Sequence, residues 1–211
     1  MENVQGDINV EGWDRAAVEV SVIKTAASPN GDVKEVRIDV EFQDRALSLR
    51  TIYPPQSNEP VRVDYRLRVP RQVRLERLQT VEGDITVHDL EGAVDTRTLN
   101  GNIEQARVAG SVVARALHGN VVVSLRALPD PPSRIYLETV NGNVHLVLPP
   151  SANADLQLST VAGRIESKYI FTVSDVPGDT SWKTRLGRGG VLVRLRTVRG
   201  NIRVVESEDL L

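Results

Sequence analysis

An all-β fold, a parallel β-solenoid (β-helix-like) built from coils of about 18 residues, is predicted by three features of the sequence. A hexapeptide centred on glycine recurs six times along the 211 residues. Apolar residues alternate with polar ones far more often than they recur at helical spacing. Aromatics make up only 4%, so the core must be built from Val, Leu and Ile, which favours thin, regular β-layers.

The N-terminal third is less regular. VQGDI (Val4 to Ile8) is a weak copy of the hexapeptide. Val36, Ile38, Val40 and Phe42 alternate with charged residues, as do Val61, Val63, Tyr65, Leu67 and Val69, and each series predicts a half-buried strand. SPNGD (Ser28 to Asp32) and YPPQSNEP (Tyr53 to Pro60) read as turn and loop. These strands, within residues 1–77, are expected to pack onto a glycine-repeat solenoid over 78–211, giving one continuous domain.

The repeat itself reads TVEGDI (Thr80 to Ile85), TLNGNI (Thr98 to Ile103), ALHGNV (Ala116 to Val121), TVNGNV (Thr139 to Val144), TVAGRI (Thr160 to Ile165) and TVRGNI (Thr197 to Ile202). Its structural glycines are Gly83, Gly101, Gly119, Gly142, Gly163 and Gly200, with Gly92 and Gly110 marking the half period. The spacing is 18 residues twice, then 23 where ALPDPPS (Ala127 to Ser133) intervenes, then 21 with PPSAN (Pro149 to Asn153). The final gap of 37 holds SDVPGDTSWKTRLGRGG, read as a longer excursion from the regular coil. Insertions that fall in loops while the beat survives are characteristic of repeat architectures.

Apolar residues stand two before each glycine (Val81, Leu99, Leu117, Val140, Val161, Val198) and two after it (Ile85, Ile103, Val121, Val144, Ile165, Ile202). Strict period-two alternation places both sets inward with the glycine at a bend, and the Thr and Asn or Asp positions outward. An antiparallel meander of nine-residue units also fits, because Asn100-Gly101 and Asn141-Gly142 are hairpin signals. Equivalent apolar places every 18 residues favour the solenoid.

A formal charge of -2 gives no electrostatic case for nucleic acid. Arginine outnumbers lysine 22 to 4, which suits anion recognition but also decorates exposed strands. There is no cysteine, hence no disulfide framework or thiol site. The opening MENVQGDINVEG has no basic start leading into an apolar stretch, so neither a signal peptide nor a transmembrane segment is expected in this chain.

The stretch VRVDYRLRVPRQVRLERLQTVEGDITVHDLEGAVDTRTLNGNI, the further Thr-Val-x-Gly-Asn-Ile copies and the late LGRGGVLVRLRTVRGNIRV resemble the bacterial DUF4097 family of adhesin-like β-strand repeat proteins, related to the head GIN domain proteins. The resemblance covers nearly the whole chain. It implies a β-solenoid-like domain, usually exported or membrane-tethered, and it carries no catalytic residues.

No constellation for chemistry stands out. The position after glycine runs Asp84, Asn102, Asn120, Asn143, Arg164, Asn201, largely amide and unsuited to paired acid and base work, so Asp84 reads as a turn residue. His88, His118 and His145 sit at different phases of the repeat and form no metal column. Gly187, Gly189 and Gly190 in LGRGG read as a flexible corner, with an anion nest beside Arg185 and Arg188 as the alternative. If their strands lie together, Arg62, Arg66 and Arg68 would join Arg194 and Arg196 in a basic stripe; Asp64, Asp39 and Glu41 could instead pair with them. The expectation is a non-enzymatic structural or adhesion-like module of the bacterial cell envelope, without cofactor or metal. An envelope component, a glycan or a protein is its expected partner. A cytoplasmic scaffold stacking through its solenoid ends, which the acidic ESEDLL (Glu206 to Leu211) would cap against, is the alternative, and a carbohydrate-active β-helix enzyme a more distant one.

Overall fold

The computed structural model describes residues 1–26, 33–54, 61–150, 152–176 and 179–207, with 172–176 and 179–180 described by their backbone. SPNGD, the centre of YPPQSNEP and most of ESEDLL lie outside the described residues. The strands are β1 (Ile8–Trp13), β2 (Glu19–Ala26), β3 (Arg37–Gln43), β4 (Ala46–Ile52), β5 (Val61–Pro70), β6 (Leu75–Glu82), β7 (Ile85–His88), β8 (Val94–Asn100), β9 (Ile103–Val108) and β10 (Val112–His118). They continue as β11 (Val121–Leu125), β12 (Arg134–Asn141), β13 (Val144–Leu148), β14 (Ala154–Ala162), β15 (Ile165–Ser167), β16 (Thr172–Val176), β17 (Asp179–Leu186), β18 (Val191–Arg199) and β19 (Ile202–Glu206). The protein is all-β, and among the described residues no helix is long and apolar enough to cross a membrane.

Successive repeat strands alternate between two sheets. One sheet runs β16-β17-β14-β18-β12-β10-β8-β6 and the other β15-β19-β13-β11-β9-β7-β1-β5-β2. The repeat strands pair in parallel with their equivalents, as in Val112 opposite Val94 and Ile135, or Val121 opposite Ile103 and Val144. Parallel pairing removes the antiparallel meander. Each sheet is open, and each repeat supplies one strand to each sheet. We call such a strand pair a rung.

The order along the stack departs from chain order at both ends. Residues 1–5 lie against β6 and β4, and β1 lies between β5 and β7, so the N-terminus is the middle of a zipper. Likewise β18 and β19 lie between β12 and β14 and between β13 and β15. Beyond the parallel rungs, β2 pairs antiparallel with β5, β17 with β14, and β16 with β17. The SDVPGDTSWKTRLGRGG excursion is therefore largely a hairpin closing one end.

The space between the sheets is filled by columns of branched aliphatics, among them Ile85, Ile103, Val121, Val144 and Ile202, all at most 1% exposed. Full burial of such a side chain stabilises by roughly 1.5–3 kcal/mol. The β3–β4 hairpin departs from the half-buried reading. Val40 and Phe42 on β3, which pairs with β4 in a separate two-stranded sheet, are 60% and 74% exposed.

Candidate functional site

The glycine corner, where each rung passes between the sheets, is the most regular feature of the molecule. Gly119 has φ +150°, and a Cβ there would fall onto the carbonyl oxygen of Gly101 in the next rung. The same relation links Gly6, Gly83, Gly101, Gly119, Gly142, Gly200 and Gly163 in that spatial order, so backbone meets backbone down a column of glycines. The beat of the sequence is thus a close-approach requirement repeated at every rung. Gly110 meets the carbonyl of Gly92 in the same way at the opposite corner.

The corner reverses the expected phase of the strand before it. Thr80, Thr98, Thr139, Thr160 and Thr197 face inward and are buried, not outward. Their hydroxyls donate to glycine carbonyls one rung away: Thr98 to Gly83 at 3.0 Å, Thr139 to Gly119 at 2.8 Å, Thr197 to Gly142 at 2.9 Å. From Thr to the apolar residue after glycine is five positions, an odd number, and both ends point inward. The two-residue turn therefore absorbs one unit of alternation, and the residues two before glycine face solvent.

Those residues form an unexpected surface. Register places Val4 of the N-terminal segment beside Val81, Leu99, Leu117, Val140, Val198 and Val161 on six strands. Val4, Leu99 and Val161 are 46%, 42% and 49% exposed, and the four others are half-buried. At the usual strand spacing this aliphatic ridge is roughly 30 Å long. The signal for it lay in the sequence, as an apolar residue at one fixed position in every copy; period-two counting assigned it to the wrong side.

Beside the ridge runs a ladder of short polar side chains. The ladder starts at Asp64, after Val63, and continues through the residue after each glycine, each side-chain oxygen accepting the equivalent backbone N–H of the next rung: Asp64 from Asp7 (2.8 Å), Asp7 from Asp84 (2.9 Å) and Asp84 from Asn102 (2.7 Å). It continues as Asn102 from Asn120 (3.0 Å), Asn120 from Asn143 (2.8 Å), Asn143 from Asn201 (2.8 Å) and Asn201 from Arg164 (2.9 Å). Each link needs an acceptor, which explains Asn or Asp, and Arg164 stands where the ladder has no further rung to serve. Asp84 is a turn residue in this sense. The ladder is acidic at the β1 end, neutral in the middle and basic at the β15 end.

The arginines do not gather as one stripe. Arg62, Arg66 and Arg68 are on β5 near one end of the nine-stranded sheet, whereas Arg194 and Arg196 are on β18 in the other sheet near the far end. Arg62 pairs with Asp7 and, at 2.9 Å, with Asp64, while Arg68 contacts Glu11 at 3.2 Å and Glu19 at 3.7 Å. Asp39 and Glu41 lie on β3, which pairs with β4, so they are not opposite those arginines. A shallow depression of about 400 Å³ on the nine-stranded sheet is lined by Arg66, Arg68, His88 and Arg107 with Glu11 and Asp89. Arg107 binds Asp89 through two nitrogens and holds its carboxyl below the usual carboxylate range.

Three further expectations concern single groups. The LGRGG corner presents its amides to the protein's own acceptors: Arg188 N–H donates to Asn153 at 2.8 Å and Gly190 N–H to Asp155 at 3.1 Å. Arg185 also donates to Asp155 at 2.8 Å, and with Gly190 it lowers that carboxyl's pKa. The anion in this nest is Asp155. His88 and His145 are on β7 and β13 of one sheet, and His118 ends β10 in the other. Burial, then the nearby Arg203, pushes the pKa of His145 down. Among the described residues no group of three or more His, Cys, Asp or Glu is placed to hold a metal.

No family model matches the chain, and no curated protein matches it. Among solved structures it is similar to the crystal structure of a "putative cell adhesion protein" from Clostridium sporogenes, with a TM-score of 0.55 and 13% identity over 98% of this chain and 92% of that one. At that identity the likeness shows a shared fold across the full length of both chains.

Proposed function

We propose that this chain is a non-enzymatic two-sheet β-solenoid of the adhesin-like kind that the DUF4097 resemblance implies, displayed at the bacterial cell envelope and acting through its rigid outer surface. The observation that carries the reading is the aliphatic ridge from Val4 to Val161, seven outward apolar residues held in register by the glycine column. A folded chain gains nothing in stability from apolar groups repeated on its outside, and an extended exposed apolar row marks a contact surface. The Clostridium sporogenes neighbour, whose description speaks of cell adhesion, supports the reading at the level of fold.

The test is retention of the tagged chain on isolated bacterial envelope fractions and on a glycan array. Wild type should be retained, and Leu99→Asp, which folds because Leu99 faces solvent, should lose at least about tenfold in retention. Equal retention of the two proteins would remove the ridge from the function.

A further inference from the structure

Resting on the reading of the ridge as a contact surface, we infer that its partner is a second copy of this chain, packed ridge to ridge and turned end over end about a twofold axis at Leu117. Charge is distributed along the ridge so as to match an inverted copy. Of its seven rungs, that of β10 and β11 is the middle one. The row just before the glycines runs Gln5, Glu82, Asn100, His118, Asn141, Arg199, Ala162. The row just after them runs Asp7, Asp84, Asn102, Asn120, Asn143, Asn201, Arg164.

Both rows carry their acidic residues on one side of the central rung and their arginine on the other. Among the described residues, Glu82, Asp84, Arg164 and Arg199 make no ion pair within their own chain, though all four are exposed. Unspent opposite charges at the two ends of an apolar line are self-complementary only when one copy is inverted. The end-over-end twofold sets Leu117 on its own copy, Leu99 on Val140 and Val81 on Val198. It also sets Glu82 against Arg199, neither of which has an ion-pair partner among the described residues of its own chain. A twofold parallel to the stack would instead bring Arg199 towards Arg196. The inverted pairing is an isologous contact with an apolar line flanked by charged rims, the usual anatomy of a specific interface.

Sedimentation over a concentration series tests it. Wild type should move from monomer to dimer, and Leu117→Asp should weaken association at least about 100-fold. Glu82→Arg and Arg199→Glu should each weaken it about tenfold, while the double variant Glu82→Arg/Arg199→Glu should return to within a few fold of wild type. Because the chain has no cysteine, Leu117→Cys should yield a disulfide-linked dimer on oxidation and Val81→Cys should not. Circular dichroism confirms that each variant is folded.

A wild type that stays monomeric throughout, or a double variant no better than the singles, overturns the inference. If wild type is monomeric yet Leu117→Asp still loses retention on envelope fractions, the partner is another molecule, and the contact-surface reading survives. If Leu117→Asp changes neither mass nor retention, both fall.

Discussion

The two corners of each rung carry the chain between the same two sheets by different means. At the glycine corner the passage takes two residues in all six repeats, glycine followed by Asp84, Asn102, Asn120, Asn143, Arg164 or Asn201. At the opposite corner it takes from three residues (109–111) to eight (126–133), and ALPDPPS and PPSAN fall there, with LGRGG beside them where it joins β17 to β18 within one sheet. The first corner is held by backbone contact, buried threonine hydroxyls and the side-chain ladder. The second relies more on exposed ion pairs, Arg107 with Asp89 and Arg126 with Glu91. A corner whose groups bond to the equivalent groups above and below must have the same length in every rung. One held by long, flexible side chains can absorb insertions.

Substituting glycine should separate the two corners by the widest margin. Gly119→Ala drives a Cβ into a backbone carbonyl at positive φ and should cost about 4 kcal/mol or more in urea unfolding, or abolish folding. Gly190→Ala at the other corner, where a Cβ would lie 3.5 Å from Pro131, should cost only the backbone strain, about 1–3 kcal/mol. Comparable losses would show that the corners are equally constrained.

Smaller effects sharpen it. Thr139→Val keeps the shape of a fully buried side chain but removes its hydrogen bond to Gly119, so denaturant titration should show a loss of about 1–2 kcal/mol. Asn120→Ala, which removes one ladder acceptor on the surface, should cost about 1 kcal/mol, whereas Asn120→Asp keeps the acceptor and should stay within about 0.5 kcal/mol of wild type.

The smallest expected effect is that of acid. Asp89, Glu91 and Asp155, all at the opposite corner, have folded pKa values lowered chiefly by hydrogen bonds from Arg107, Arg126 and Arg185 respectively. A lowered carboxylate pKa contributes stability that is complete above the unfolded value, 3.8 for Asp and 4.5 for Glu, and is lost as pH falls through the folded value. Below about pH 4.5, hydrogen exchange corrected for intrinsic rate should therefore accelerate at residues 89–93, 109–111 and 186–190 before it does in the Asn102–Asn143 part of the ladder. Simultaneous loss of protection at both corners would count against the division.

Much of this was legible in the sequence because a repeat reports its own period. Gly83, Gly101 and Gly119 at 18-residue spacing identify equivalent corners, and Ile85, Ile103 and Val121 are core wherever the chain turns. The facing of Leu99 and Thr98 was not legible, because alternation holds only along a continuous strand and the two-residue turn shifts it by one. Nor was the separation of Arg62 from Arg194, which depends on which rungs become neighbours.

The β class, the beat and the places where insertions enter follow from residue types at fixed spacing along the chain. The three-dimensional pairing was needed to show that β1 lies between β5 and β7, that β18 and β19 lie between β12–β13 and β14–β15, that the ladder runs from acid to base, and that an aliphatic ridge lies outside. The physical reason is that parallel pairing between distant strands fixes both neighbours and facing, and neither is encoded within a single copy of the repeat.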